Sequence, residues 1–225
     1  MIRTFSILFL AVVCLGALGC PGKTTKTGEG SKTGSAAGGS AKADEPGGST
    51  PEDLWKKMKA VEGDGGKIDM GKMASLCTKA SQTELVGFGI MAAGFAAMGK
   101  NMKADPAKEK LLEALLDKHG VKRGKDKKID MKKKDAFDGI KDKPALVADL
   151  FAFSDEHGSG KSSNKGVGEM KEIKTEGDRA TVSVVKKDKD GKEEPDVCVF
   201  LKEDGRWFFD LAETKKAVKA LKASK

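Results

Sequence analysis

The hydrophobic period of this chain changes once, and that change limits the folds open to it. From Pro51 to His157 apolar residues recur at helical spacing; from about Val167 to Leu211 they alternate with period two. In "DRATVSVV" Val182 and Val184 oppose Thr181 and Ser183. In "DVCVFL" Val197, Val199 and Leu201 oppose Cys198 and Phe200, and in "RWFFDL" Trp207, Phe209 and Leu211 oppose Phe208 and Asp210. The connections "KDKDGKE" and "KEDGR" carry Asp-Gly turns of the hairpin type. Helices followed by an antiparallel meander predict an α+β domain, with N-terminal helices (51–157) packed on a C-terminal meander (166–211). Residues 212–225 form a short polar helix or tail.

Within the helical half the punctuation is clear. Thr50-Pro51-Glu52-Asp53 supplies an N-cap, a first-turn proline and two acids. Leu54, Trp55, Met58 and Val61 follow at helical spacing, and Gly63-Asp64-Gly65-Gly66 ends the helix. A short second helix carries Met70, Met73, Ala74 and Cys77. Ser81-Gln82-Thr83-Glu84 has the pattern of a capping box leading into "LVGFGIMAAGFAAMG", residues 85–99. That run is uncharged, yet it is shorter than the roughly twenty residues a bilayer requires, and Gly99 stops it. It reads as a buried core helix; the competing reading is a surface for a partner or ligand. Asp105-Pro106 opens another helix with Leu111, Leu112, Leu115 and Leu116 on one face and Gly120 after it. The last helix, Pro144 to His157, buries Leu146, Val147, Leu150 and Phe151, and Gly158–Gly168 is a loop.

The N-terminus has a different character. Met1, Ile2 and Arg3 precede an apolar stretch from Phe5 to Leu18, too short to span a bilayer comfortably. Ala17-Leu18-Gly19-Cys20 resembles a bacterial lipobox. In that family the cysteine thiol is acylated and a peptidase cuts just before it, here between Gly19 and Cys20. The third residue before the cysteine is usually Leu and here is Ala17; the small Gly19 and the cysteine itself are the demanding positions. An ordinary secretory signal or an uncleaved anchor would leave unexplained a cysteine followed at once by a linker. The resemblance implies a signal peptide over 1–19 and a mature chain held at the membrane through acyl chains, palmitate among them, on Cys20. Each buried CH₂ adds about 0.8 kcal/mol, so two or three chains hold far more firmly than one. Pro21, in place of Asp, favours the outer over the inner membrane by resemblance to enterobacterial sorting.

Residues 20–50 form the tether. After Cys20 they are rich in Gly, Ser, Thr and Lys and carry no large apolar side chain, so burial cannot offset their conformational entropy. Thirty flexible residues span roughly 30 Å. The remaining 51–225 is long enough for one domain with a real core.

Of the net charge of +8, Arg3 and four lysines against three acids account for two before residue 51, leaving +6 for the domain. Arginine, the preferred fork for phosphates and base edges, occurs only at 3, 123, 179 and 206. The lysines are interspersed with acids, so a nucleic-acid partner is not expected. The densest basic run, Lys122–Lys134, reads as a solvated connection between helices, with anionic lipid or a polyanion as the competing role. Cys14 leaves with the signal, which leaves Cys77 and Cys198 in the domain. They are a candidate disulfide in an oxidising compartment, where closing so long a loop contributes up to about 4–5 kcal/mol; two buried free thiols are the alternative.

The segments "TPEDLWKKMKAVEGDGGKIDMGKMASLCTKASQTEL" and "GDRATVSVVKKDKDGKEEPDVCVFLKEDGRWFFDL" resemble the opening helices and closing strands of lipoproteins in the nuclear transport factor two superfamily. The resemblance covers residues 50–100 and 165–211, and the helical middle, 103–157, departs from that pattern. It implies a curved sheet wrapped round a long helix into a cone, whose open end holds a small hydrophobic ligand or a catalytic site. It also implies a homodimer through the sheet.

Chemical motifs fail on inspection. "GSGKSS", Gly158–Ser163, has Asp155 where a phosphate loop needs its first Gly, and it leads to a strand. In "DKDG", Asp188–Gly191, a calcium loop would place Lys186 and Val197 at positions that must be acidic. His119 and His157 sit at helix ends, where capping is the natural role. A metal site needs three or four converging ligands, and none is expected; no catalytic residue or cofactor is identified either. The chain has no tyrosine, the usual donor of catalytic members of the superfamily. Trp55, Val182, Val199, Trp207 and Phe209 are expected in the core. The sequence thus points to a noncatalytic envelope lipoprotein that binds an envelope protein or a small hydrophobic ligand. The alternative is a cone-type hydrolase or isomerase on a small apolar substrate.

Overall fold

The computed structural model describes residues 45–63, 67–98, 103–124, 129, 137–158, 166–187 and 191–224. The signal segment, Cys20, the tether as far as residue 44, most of the Lys122–Lys134 run and nearly all of Gly158–Ser163 lie outside the described residues. The elements are α1 (Pro51–Ala60), α2 (Met70–Ser75), α3 (Lys79–Ala97), α4 (Pro106–Lys118), α5 (Lys143–His157), β1 (Glu169–Glu176), β2 (Arg179–Lys187), β3 (Glu193–Glu203), β4 (Arg206–Phe209) and α6 (Leu211–Ala223). The fold is α+β: helices, then a four-stranded antiparallel open sheet in the order β1-β2-β3-β4.

Local chemistry sets the helix starts. Asp53 N donates to the Thr50 side chain at 3.1 Å, and Asp69, Asp105 and Asp142 cap α2, α4 and α5 in the same manner. The capping box at Ser81–Glu84 is not used. α3 begins a turn earlier, capped by Thr78, which accepts from Ser81 N, and Ser81 lies inside the helix, buried. Strand pairing places Val182 opposite Cys198 and Ala180 opposite Phe200, while Phe200 faces Phe209 across β3 and β4. Of β1 only Ile173 is even half-buried. Its Lys and Glu side chains blunt an edge that would otherwise offer a template for pairing.

Two clusters of buried side chains divide the core. One gathers Val86, Leu146, Val147, Leu150 and Phe153 from α3 and α5, with Leu116 of α4. The other sets Leu54, Trp55 and Met58 of α1 against Val182, Cys198, Phe200 and Trp207 of the sheet. The expected core residues Trp55, Val182, Val199 and Trp207 are buried, and Phe209 is partly so. Leu111, expected on the apolar face of α4, is 53% exposed, and Phe153 rather than Phe151 is the buried aromatic of α5.

The compact unit begins at Gly47, four residues earlier than composition suggests. Gly48 exchanges two backbone hydrogen bonds with Trp207, both 2.8 Å. A Cβ on Gly48 would lie 2.5 Å from Leu54 N, and one on Gly47 (φ 74°) would lie 2.7 Å from Trp207 O. These glycines read as linker but serve close approach to β4. Beside them Phe209 N donates to Leu76 O and Thr78 N to Phe209 O. The outer edge of β4 is therefore covered by two short stretches of backbone.

β3 is buried on both faces from Val197 to Phe200, so the simple in-out alternation expected there is absent. The cause is α6, which the sequence left as a short helix or tail. It is a thirteen-residue helix laid over the face of β3 opposite α1, where Val199 N donates to Thr214 Oγ1 at 2.8 Å.

Candidate functional site

The first turn of α6 is firmly placed. Asp210 caps it, accepting from Glu213 N at 2.8 Å, and Arg179 of β2 pairs with Glu213 at 3.6 Å. Beyond that turn the helix presents Ala217, Ala220 and Leu221 toward the sheet, and no residue of α6 is fully buried. Side chains as small as alanine cannot fill the space above Thr181 and Ser183 of β2. An open groove of about 610 Å³ results, more exposed than the clefts that enclose a small ligand. Val185, Pro195 and Val197 supply apolar floor, and Lys171 and Arg179 stand at its margin. Asp196 is the carboxylate in the lining, and Lys186 holds it at 2.7 Å.

A second depression, about 290 Å³, lies between α1 and the start of β1. Its Glu62 carboxylate pairs with Lys59 and accepts from Val167 N. That arrangement fastens the loop before β1 to α1.

The most buried polar cluster is Thr78, Ser81 and Asp210, at 0, 1 and 5% exposure. The Thr78 and Ser81 hydroxyl oxygens are 2.8 Å apart, and Thr78 Oγ1 is 2.9 Å from Asp210 Oδ2. Each hydroxyl has one proton. The Thr78 proton therefore goes to the carboxylate, and Ser81 donates to Thr78 while accepting from Leu211 N at 2.8 Å. Every member is satisfied, and Asp210 lines neither depression. The cluster is a joint that caps α3 and α6 together. The "RWFFDL" alternation assigned Asp210 to a strand; the signal that reveals its role is Asp210-Leu211-Ala212-Glu213, a capping pattern.

Both histidines do sit at helix ends; the side chain of His119 crosses to a neighbouring helix, while that of His157 stays on its own. His119 ends α4 and its Nε2 lies 2.8 Å from Asp149 of α5, which Lys118 also reaches at 2.8 Å. The Lys118 and His119 hydrogen bonds hold the Asp149 carboxyl below its ordinary range, against a weaker opposing effect of burial. His157 packs on Phe153 with ring centroids 4.5 Å apart. Among the described residues no three His, Cys, Asp or Glu side chains gather in a way that could hold a metal ion.

Of the two states the sequence left open for Cys77 and Cys198, the structure has the free thiols. Cys77 packs in the helical cluster and donates to Met73 O at 3.3 Å; Cys198 belongs to the sheet cluster. Burial pushes each thiol up to about 12, with the Asp210 charge adding to the effect at Cys77. Thiols so far from ionising are poor nucleophiles.

Sequence reasoning missed the groove because "KKAVKALKASK" reads as polar. Ala217, Ala220 and Leu221, at helical spacing, are the sign of a sheet-facing side. Compared with known proteins, the chain matches no family model, no curated protein and no solved structure.

Proposed function

We propose that this chain is a bacterial envelope lipoprotein, anchored by acylated Cys20, whose domain is a noncatalytic binding module for a small hydrophobic envelope ligand or a partner protein. The observation that carries the anchoring is Gly19-Cys20 closing an apolar run and opening a segment without large apolar side chains. Support for binding comes from the groove between α6 and the sheet, apolar in its floor with Lys171 and Arg179 at the margin. This reading keeps a sheet curved about α1, the cone of the nuclear transport factor two superfamily. The space such a cone would enclose is taken up by Leu54, Trp55, Phe200 and Trp207, so the ligand surface moves to the face under α6. The enzyme alternative gains nothing from Asp210, whose carboxylate is fully engaged in capping.

Native mass spectrometry of the protein extracted gently from its own envelope tests both parts. The expected result is a diacylglyceryl mass on the fragment beginning at Cys20, together with a reproducible small adduct on the domain. An unmodified Cys20 removes the anchor. A domain with neither cargo nor companion polypeptide removes the binding role.

A further inference from the structure

β1 is the outermost strand of the sheet, and among the described residues no strand lies beyond it. Its free edge is irregular. Met170 stands opposite Val184 and Glu172 opposite Ser183, so β1 carries one extra residue between them, a β-bulge. The bulge changes which side chains share a face. Met170 and Ile173, three residues apart, lie on the same face, opposite Val184 and Val182 of the sheet core. Glu169, Glu172 and Lys174 lie on the other face, opposite Val185, Ser183 and Thr181, and Lys171 lines the groove there beside Thr181 and Ser183. From 169 to 174 the faces run out, in, out, out, in, out, the same in either direction.

We propose that a second copy of this chain pairs antiparallel with β1 along this edge, about a two-fold axis between Lys171 and Glu172, joining two four-stranded sheets into one of eight strands. Residues directly opposed in an antiparallel pair share a face. A regular strand, with faces alternating at period two, meets that condition only when the opposed residues lie an even number apart. The bulge reverses the rule, and the palindrome of faces matches itself about the axis. In that register Glu169 faces Lys174, Met170 faces Ile173 and Lys171 faces Glu172, each twice by symmetry. Slipping by one residue opposes Lys171 to its own copy in one direction and Glu172 to its own copy in the other. Either slip sets like charges against each other and mismatches the faces. A regular strand would lose register at the extra residue, so the features that blunt this edge toward other strands select a copy of itself.

Within one chain these charges pair along the strand, Lys171 with Glu169 at 3.8 Å and Lys174 with Glu172 at 3.6 Å, all four side chains at least half exposed. Across the axis each carboxylate gains a second lysine without giving up the first. Met170, 37% exposed, gains Ile173 of the copy. Six paired residues make a small interface, so the dimer is expected to form and dissociate with concentration.

The test uses the full-length chain in mild detergent, followed by native mass spectrometry over a concentration series. The expected result is a dimer whose share grows with concentration. Lys171→Glu with Lys174→Glu makes the edge wholly acidic, and Glu169→Lys with Glu172→Lys makes it wholly basic. Each variant alone is expected to stay monomeric where the original chain is mostly dimer, and an equimolar mixture of the two to dimerise again. Register is read separately: on oxidation Glu169→Cys with Lys174→Cys is expected to cross-link two chains, and either substitution alone to add no cross-link. An original chain that stays monomeric overturns the proposal. A dimer unchanged in both charge variants overturns it as well and places the contact elsewhere. Variants of unchanged dichroism that fail to recombine, or single cysteines that cross-link as well as the pair, overturn the register.

Discussion

The two cores of this domain are closed to different degrees. Around the sheet, Leu54, Trp55, Met58, Phe200 and Trp207 are all inside, and the backbone of Gly47 and Gly48 seals β4 at van der Waals range. Around α3, α4 and α5 the inner residues are as well buried, yet Met91, Met98 and Leu111 are 37, 38 and 53% exposed. In the sheet half Met170 on the open edge strand is exposed, while Ile173, Leu201, Phe208 and Phe209 are half-buried. The helical half thus leaves more of its large apolar side chains exposed than the sheet half does.

Paired glycine substitutions give the sharpest contrast. Gly48→Ala puts a methyl 2.5 Å from Leu54 N and 2.7 Å from its Cα. Backbone cannot yield as a side-chain tip can, so the expected loss is about 3 kcal/mol or more, with a correspondingly large fall in Tm. Gly94→Ala meets open space in mid-helix and is expected to gain about 0.5–1 kcal/mol. Chemical denaturation of both variants checks this. Similar effects at the two sites would mean that the sheet half is not the more tightly closed.

The joint between the halves ranks next. Asp210→Ala removes the α6 cap and leaves the buried Thr78 hydroxyl without its carboxylate. The expected cost is about 2–3 kcal/mol. Fluorescence of the sheet tryptophans and far-ultraviolet dichroism, which follows the helices, should shift together. Separate transitions would show that the cores unfold independently and that the cluster does not couple them.

Much of this architecture was legible in sequence because each signal was local. Thr50 with Pro51 marks α1, Asp105 with Pro106 marks α4, and Asp204-Gly205 marks the last hairpin, where Asp204 adopts φ 52°. What escaped depends on distant partners. Gly47 and Gly48 have the composition of a tether, and only the position of Trp207 and Leu54 gives them another role. α6 carries its apolar positions among four lysines, and they stay partly open over β3, so the groove beneath it left little trace. The exposure of α3 was likewise invisible: an uncharged run shows that a helix wants cover, not whether the fold supplies it.

A smaller effect concerns the clasp between α4 and α5. Asp149 has its folded pKa depressed by Lys118 and His119, so its contribution is present above the unfolded value near 3.9 and is lost as pH falls through the folded value. Its side chain is 36% exposed, and solvent screening limits the contribution to about 1 kcal/mol or less. Asp149→Asn should lower stability slightly at neutral pH and flatten the acid limb of the pH–stability curve. An unchanged limb would show that the clasp does not matter to the helical core.

The smallest expected effect bears most directly on the comparison. If Met91 and Met98 are core residues imperfectly covered, Met91→Glu and Met98→Glu should cost stability in proportion to the apolar area each side chain buries. If they are surplus, the helix loses almost nothing, since surface changes away from special features stay within about 0.5 kcal/mol. The substituted positions are 37 and 38% exposed, and neighbouring Gly94 faces open space. A carboxylate can therefore extend into water without displacing Val86, Ala93 or Leu150 beneath. The expected outcome is an unchanged denaturation midpoint with higher solubility, set against a marked loss for Phe153→Glu, whose ring lies in the same core at 7% exposure. A loss at position 91 approaching that at 153 would place this face of α3 within the helical core, and the difference between the two halves would disappear.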